Sequence, residues 1–289
     1  MNKPLRIGVI GAGWLGLPLV GHLSRAGRYR LLATTRREEK LAAISQAGAT
    51  AVLLHLPIDK IEEEDNSAKG IASKLRPLAV SNQTGQPELK KLFSADVLIV
   101  TLPPGRSRLD TFNAYGAEIN SLIDAARRFG CSRFIYTSST GVYGQAKGRV
   151  DEQSPTIPTT ESARAVLAAE QAFEASGIPT TILRLAGLYG PDRDPGRWFQ
   201  KRPIKNADAP VNLVHQQDVI RAIQLVIEQN AWNKTYNVCG ADHPTKGEYY
   251  KNAALALGLD PPTTEAGGQD GKWVDSSKIR EQLGWASRN

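Results

Sequence analysis

The residues best placed to do chemistry fall in two groups. The first is Gly11-Ala12-Gly13-Trp14-Leu15-Gly16, a Gly-x-Gly-x-x-Gly spacing entered from the apolar run Ile7-Gly8-Val9-Ile10. It leads into an amphipathic pattern through Leu17, Val20 and Leu23. That order reads as strand, tight turn and helix. Gly11 permits the turn, Gly13 lets backbone approach a pyrophosphate, and Gly16 lets helix and strand pack closely. The open amides at the helix start, about Trp14 and Leu15, would then hold the phosphates. The plainer alternative is a glycine-rich turn that holds nothing; the strand before it and the helix after it weigh against that. The second group is Ser138-Ser139-Thr140-Gly141-Val142-Tyr143-Gly144. These hydroxyls follow the apolar run Arg133-Phe134-Ile135-Tyr136-Thr137, at the strand end where an α/β sheet places its chemistry.

Other elements must position these groups. A strand over Tyr29 to Thr35 is followed by Arg36 and Arg37, with no carboxylate before Glu38. A carboxylate there would bind a ribose 2′-hydroxyl, whereas a cation accepts a 2′-phosphate. NADP(H) is therefore the expected coenzyme, with NAD(H) as the other possibility. Arg36 is the first choice for a bidentate grip on that phosphate, with Thr35 and Arg37 beside it. The alternative makes Arg36 and Arg37 solvated charges opening a surface helix, with Glu38 and Glu39 in its first turn. A third strand runs from Ala51 to Leu56, and His55 near its end reads first as a hydrogen-bonded structural residue. Residues 59–87 are polar and long for a connection, so an insertion with one helix is expected. The strand Asp96 to Leu102 is stopped by Pro103-Pro104-Gly105, which puts Thr101, Leu102 and Pro103 beside the coenzyme.

Helices are expected from about Arg108 to Phe129 and Thr160 to Ser176, then a strand from Thr180 to Leu185. The polar, proline-rich stretch 191–210, with Arg197-Trp198-Phe199, suits a substrate-facing loop. Val211 to His215 reads as a short strand, and Asp218 as an N-cap or first-turn carboxylate of a helix reaching Glu228. A strand at Thr235 to Cys239 and helices near Gly247 to Leu257 and Ser276 to Leu283 complete the pattern. Strand and helix alternate throughout, so the fold class is α/β, a doubly wound parallel Rossmann-type sheet with right-handed crossovers. Residues 1–185 are expected to form the dinucleotide-binding domain. In 186–289, residues 211–239 return to the core, while 191–210 and 240–289 form a small C-terminal substrate-binding lobe.

Composition narrows the partners. The 289 residues are 41% hydrophobic and 22% charged, ordinary for a globular protein. No apolar run nears the roughly 18 residues that span a bilayer, so no membrane partner is expected. The start, Met1-Asn2-Lys3-Pro4, enters the first strand without a signal-peptide pattern, which gives a cytoplasmic expectation. Cys131 and Cys239 lack metal-ligand spacing and read as reduced thiols; no metal site is expected. The net charge of +7 is scattered, without a basic block interleaved by aromatics, so nucleic-acid binding is not expected. The expected partner is a small-molecule substrate.

With these residues in view, the chain resembles the extended short-chain dehydrogenase/reductase family, the NAD-dependent epimerase/dehydratase group. The likeness runs nearly the whole length. It is carried by Gly11 to Gly16, Thr137 to Gly144, Leu183-Arg184-Leu185-Ala186-Gly187-Leu188-Tyr189-Gly190-Pro191, Val211 to His215 with Asp218, and Asp275-Ser276-Ser277-Lys278 with Leu283-Gly284-Trp285. Two departures stand out. Ile10 holds the place of the first glycine in the family's Gly-x-x-Gly-x-x-Gly. The family's Tyr-x-x-x-Lys pair is also lacking from the helix after the Ser-Ser strand. Counting back from Glu170, which matches a Glu common in that helix, puts Ser162 at the Tyr place and Val166 at the Lys place. The resemblance makes Ser139 the catalytic Ser/Thr, able to polarise a carbonyl. Tyr143 and Arg164 are the other catalytic candidates, with packing and a surface role as their respective alternatives. Ser138 is assigned to the coenzyme and Tyr189 to its nicotinamide side. His215 could carry a proton, although a structural hydrogen bond is its simpler reading. The family also implies a possible homodimer through the helices after strands four and five.

Two classes of function follow. One is an oxidoreductase or epimerase-like enzyme, NADP(H)-dependent, acting on a small polar carbonyl or alcohol. The other is a catalytically inactive NADP(H)-binding sensor or regulatory protein. A dehydratase or isomerase without net redox change is a third, weaker option.

Overall fold

The computed structural model describes residues 3–58, 86–105 and 110–288. The expected insertion at 59–87, but for its last two residues, and the expected helix start near Arg108 lie outside the described residues. In chain order the elements are β1 (Leu5–Ile10), α1 (Gly16–Arg25), β2 (Tyr29–Thr35), α2 (Leu41–Gln46), β3 (Thr50–Leu53), α3 (Gln86–Phe93), β4 (Val97–Val100), α4 (Thr111–Phe129), β5 (Phe134–Ser139), β6 (Arg149–Val150), α5 (Glu161–Glu174), β7 (Thr180–Leu185), β8 (Gly187–Tyr189), β9 (Leu213–His215), α6 (Gln216–Glu228), β10 (Lys234–Val238), α7 (Lys246–Ala256), β11 (Trp273–Val274) and α8 (Ser277–Leu283).

Seven strands form one parallel sheet in the order β10-β7-β5-β4-β1-β2-β3. Both faces are apolar, as a fully covered parallel sheet requires. Ile7, Val9, Val97, Ile99, Ile135 and Leu183 pack on one face, with Leu19, Val20 and Leu23 of α1 and the apolar side of α6. The alternate residues Ile10, Leu98, Val100, Phe134, Tyr136 and Ile182 pack on the other, against α3, α4 and α5. The period-2 alternation of strands thus splits one sheet into two cores. Side-chain caps set the helix starts: the Asp110 carboxylate accepts from Asn113 N at α4, and Thr160 Oγ accepts from Ala163 N at α5.

Some boundaries differ from the sequence expectation. β3 ends at Leu53, three residues early, because Leu54 N still reaches Thr35 O but the chain then turns through Pro57, which has no N–H to donate. β5 runs two residues longer, since Ser138 and Ser139 pair with Arg184 and Leu185 of β7. The strands β6, β8 and β11 went unread. They pair as β8-β9 and β6-β11 outside the main sheet, and each has only two or three residues. Among the described residues, no helix is long and apolar enough to cross a membrane.

Candidate functional site

The chain lays down β1, β2 and β3 toward one edge, then crosses to put β4 on the other side of β1. The crevice at the carboxyl ends of β1 and β4 is therefore the topological switch point, where open α/β sheets bind ligands. The glycine turn fills it. Gly11 has φ +96° and its N–H donates to Thr34 Oγ1 at 3.0 Å. Thr101, just after β4, donates its hydroxyl to Gly11 O at 2.8 Å. A Cβ on Gly16 would stand 2.2 Å from Gly11 O, so this glycine permits the close approach of α1 to β1. Gly13 differs. It is exposed, its φ lies outside the left-handed region, and a Cβ there would meet nothing nearer than Gly11 O at 3.9 Å. Neither packing nor backbone conformation requires glycine at 13; its smallness keeps the space before the turn open. The amides of Trp14 and Leu15 make no hydrogen bond among the described residues. Open donors at a helix start beside an open space fit a pyrophosphate.

Trp14 ties this turn to a distant part of the chain. Pro18 has no N–H, so the Trp14 carbonyl lacks its helical i+4 donor. The buried Gln216 Nε2 supplies one at 2.6 Å. The indole N–H donates to Pro191 O at 2.7 Å, and the Arg193 guanidinium lies over the indole, 4.1 Å from the ring centre. Thr34, Gln216 and Arg193 escaped the sequence reading, because each reaches the turn through folding. The proline four residues after Trp14 was the available signal.

The end of β2 is held by its own threonines. Thr35 Oγ1 accepts from Arg37 N at 3.1 Å, so the chain turns and Arg36 stands exposed. Arg37 Nε is 3.6 Å from Glu39 Oε1, while Arg36 has no ion-pair partner among the described residues. Leu102 is fixed by Tyr115, whose hydroxyl bonds its carbonyl at 2.8 Å, and Pro103 is exposed beside it.

The hydroxyl cluster divides into an inner and an outer part. Ser138 is buried, and its hydroxyl donates to Glu170 Oε1 of α5. Glu170 also receives Arg184 Nη2 at 2.7 Å. Arg184 Nη1 donates to the Tyr143 hydroxyl at 3.1 Å, which donates to Asn237 Oδ1 at 2.7 Å. Burial alone would lower the Arg184 pKa, but the Glu170 carboxylate outweighs it and holds the guanidinium above its ordinary value. Burial raises the Tyr143 pKa, against the pull of Arg184. This is a buried network joining β5, α5, β7 and β10. The hydroxyls of Ser138, given above to the coenzyme, and of Tyr143, given above to catalysis, are instead bonded inside it. Ser139 belongs to the outer part. It is half-buried, and its Oγ accepts from Gly141 N at 3.1 Å, which leaves its O–H proton to donate outward.

On α5, Ser162 is exposed and Val166 is buried in the apolar core. Arg164 is exposed on the same helix. The spacing Tyr-x-x-x-Lys does occur once elsewhere, at Tyr143 and Lys147. It lies on the segment after β5, where Lys147 is exposed and paired with Asp270. A lysine the sequence reading passed over approaches this segment from β11's side. Lys272 Nζ donates to Thr140 O at 3.1 Å and Gly144 O at 2.9 Å, and burial lowers its pKa.

Tyr189 stacks edge-on against His215, with ring centres 5.1 Å apart. His215 Nδ1 accepts from Gln217 N at 3.1 Å and caps α6, so its ring has the structural bond expected for it. Asp218 sits in the first turn of α6, and burial raises its pKa, opposed by the Arg288 N–H. These side chains line a cavity of about 180 Å³ with Leu213 and Tyr249. Both cysteines are buried free thiols, and no group of three or more His, Cys, Asp or Glu among the described residues could hold a metal.

Comparison with known proteins agrees with this geometry. The profile of the NAD dependent epimerase/dehydratase family matches residues 7–239. Protein YeeZ of Escherichia coli K12 is 34% identical over 286 residues, covering 97% of this chain and 94% of its own. A dTDP-glucose 4,6-dehydratase of Streptomyces niveus is 27% identical over 197 residues, covering 61% of this chain and 58% of its own. Among solved structures, a UDP-glucuronic acid 4-epimerase from Bacillus cereus in complex with NAD superposes with a TM-score of 0.73 at 19% identity, over 98% of this chain and 93% of that one. The fold is thus shared with that structure, and the chain belongs to the NAD-dependent epimerase/dehydratase family.

Proposed function

We propose that this protein binds a nicotinamide dinucleotide in the Gly11–Gly16 cradle, prefers NADP(H), and acts as an oxidoreductase or epimerase-like enzyme on a small polar carbonyl or alcohol. The observation that carries the reading is Gly13, exposed, with nothing nearer than 3.9 Å to a Cβ there, beside the open amides of Trp14 and Leu15. Arg36, exposed at the end of β2 and without an ion-pair partner among the described residues, supports the preference for a 2′-phosphate. The nicotinamide supplies the hydride chemistry when bound. The chain's part is to hold and orient: the amides of Trp14 and Leu15 take the pyrophosphate, and the Ser139 O–H donates to the substrate oxygen. The NAD-bound epimerase of Bacillus cereus and its relatives with UDP-sugars support a dinucleotide and a polar substrate. Dinucleotide binding followed by a carbonyl and alcohol panel tests the reading. Replacing Ser139 with Ala should lower turnover about 10²–10³-fold, as for loss of one oxyanion donor, and leave coenzyme affinity unchanged.

Val166 and Ser162 favour a second reading. With an apolar residue in the core at the lysine place and a serine in solvent at the tyrosine place, the chain could have kept the cradle without turnover, as a coenzyme-sensing regulator. That reading expects coenzyme binding, no turnover on any panel member, and no effect of S139A.

A further inference from the structure

A cation stands one peptide unit away from Ser139. The Ser139 Oγ accepts from Gly141 N at 3.1 Å. That N–H belongs to the peptide unit whose carbonyl is Thr140 O, and Thr140 O accepts from Lys272 Nζ at 3.1 Å. Lys272 Nζ also donates to Gly144 O at 2.9 Å, so it spans the turn that Gly144 N closes on Gly141 O at 3.0 Å. Lys272 is itself held. Its carbonyl accepts from Asn212 Nδ2 at 2.8 Å, and on the next residues Val274 N donates to Asn212 Oδ1 at 2.7 Å and Trp273 N to Gly148 O at 2.9 Å. The ammonium is half-buried, and no carboxylate lies within ion-pair distance of it among the described residues. Taking a charge from water without a counter-ion is costly. A neutral donor would close the same turn, so closing the turn does not account for the charge.

We propose that Lys272 is a positioning residue for Ser139, which orients the hydroxyl and polarises it through the 140–141 peptide. An ammonium bonded to the carbonyl draws electron density toward it, and the N–H of the same peptide becomes the stronger donor. The Ser139 Oγ that accepts this N–H then holds its own proton less tightly, and that proton is the one left to point outward. A positive charge thus stands behind the strand end although α5 has Val166 at the lysine place. The inference rests on the reading of Ser139 as donor to the substrate oxygen, and its test separates the two.

The relay can be read without a substrate. Labelling threonine at its carbonyl carbon and glycine at its nitrogen leaves two carbon-detected peptide signals in the full-length protein, 140–141 and 84–85. The 140–141 signal should follow the titration of Lys272, whose pKa burial moves below the ordinary lysine value. Lys272→Gln keeps a donor without the charge; it should move the Thr140 carbonyl carbon upfield and abolish the titration. Lys272→Arg should keep the wild-type position and show no step. The titratable groups on the elements around Lys272 are Tyr143 in the turn, Lys147 with Asp270, Arg149 with Asp275, and His243 against Trp273. All of them remain in the variants, so a step shared by wild type and either variant would belong to them and overturn the inference. Should Lys272→Gln fail to fold, wild type against Lys272→Arg still decides. On any carbonyl or alcohol of the panel that is turned over, Lys272→Gln should lower kcat about five- to tenfold, the difference between a charge-assisted and a neutral hydrogen bond, with KM little changed. Wild-type kcat should fall as pH rises through the same step, and Lys272→Arg should recover kcat and lose that fall. A 140–141 signal that neither titrates nor responds to Lys272→Gln would overturn the inference and leave the Ser139 reading intact. The expected signal together with no turnover of any panel member would support the relay and remove the reading of Ser139 as a donor to substrate.

Discussion

Gly13 and Gly16 sit three residues apart and are small for opposite reasons. Gly16 faces the chain's own backbone, so Gly16→Ala should destabilise the protein and lower its melting temperature by several degrees, as overpacking of about 1–3 kcal/mol does. Gly13 faces open space, so Gly13→Val should leave the melting temperature near wild type and abolish coenzyme binding. Thermal melts and a coenzyme titration on both variants check this; a stable Gly16→Ala or a binding-competent Gly13→Val contradicts it. The Glu170–Arg184 pair gives a different residue-scale expectation. Both side chains are buried, so Glu170→Ala leaves an unpaired guanidinium in the interior and should cost about 3–5 kcal/mol in chemical denaturation. A loss below about 1 kcal/mol would mean the pair is not held as described. The turn at Gly11 and the close approach at Gly16 were legible because local spacing sets them, whereas Ser139 was singled out through the family resemblance. The inner roles of Ser138 and Tyr143 were not legible, since they depend on Glu170, Arg184 and Asn237, which lie 32 to 94 residues away.

Elements were readable where a period of 2 or 3.6 had room to repeat. β2 and β7 fall where their apolar runs predict, whereas β6 and β11, at two residues each, have no period to show. Asp275 is one of the ties that hold β11 and α8 to the rest, beside the Lys278 Nζ bond to Thr235 O and the Tyr236 hydroxyl bond to Gln282 Oε1. Asp275 is buried and accepts from Ser277 N at 2.9 Å, Ser277 Oγ at 2.6 Å and Arg149 Nε at 3.1 Å. Burial pushes its pKa up, but the bonds from Ser277 and Arg149 prevail and the net shift is downward. The folded carboxylate therefore stays charged to lower pH than the unfolded one. Its stabilisation is complete above the ordinary value of about 3.9 and is lost as pH falls through the lowered folded value. Asp275→Asn should be less stable than wild type near about pH 7, and the gap should close as the solution is taken toward about pH 3. Urea melts along that series check it, and a gap that stays constant would contradict the assignment.

Across the whole molecule, one arrangement accounts for the site: a parallel sheet whose strand order reverses at β1 and β4, with the glycine turn in the crevice and Ser139 one strand further along. Alternating strand and helix made that architecture legible in the sequence. The order of strands was not read from the sequence, because nothing local says that β4 returns to the far side of β1. The link from Trp14 to residues 190–193 and Gln216 was not legible at all; it joins residues up to 202 positions apart. The central claim is that the crevice holds a dinucleotide bearing a 2′-phosphate. Equilibrium titration of wild type and Arg36→Ala with NADPH and NADH tests it most directly. The account predicts that wild type binds NADPH at least about tenfold more tightly than NADH, in keeping with a charge-assisted contact, and that Arg36→Ala brings the two together by weakening NADPH alone. Wild-type protein that takes up neither dinucleotide at high micromolar concentration would contradict it.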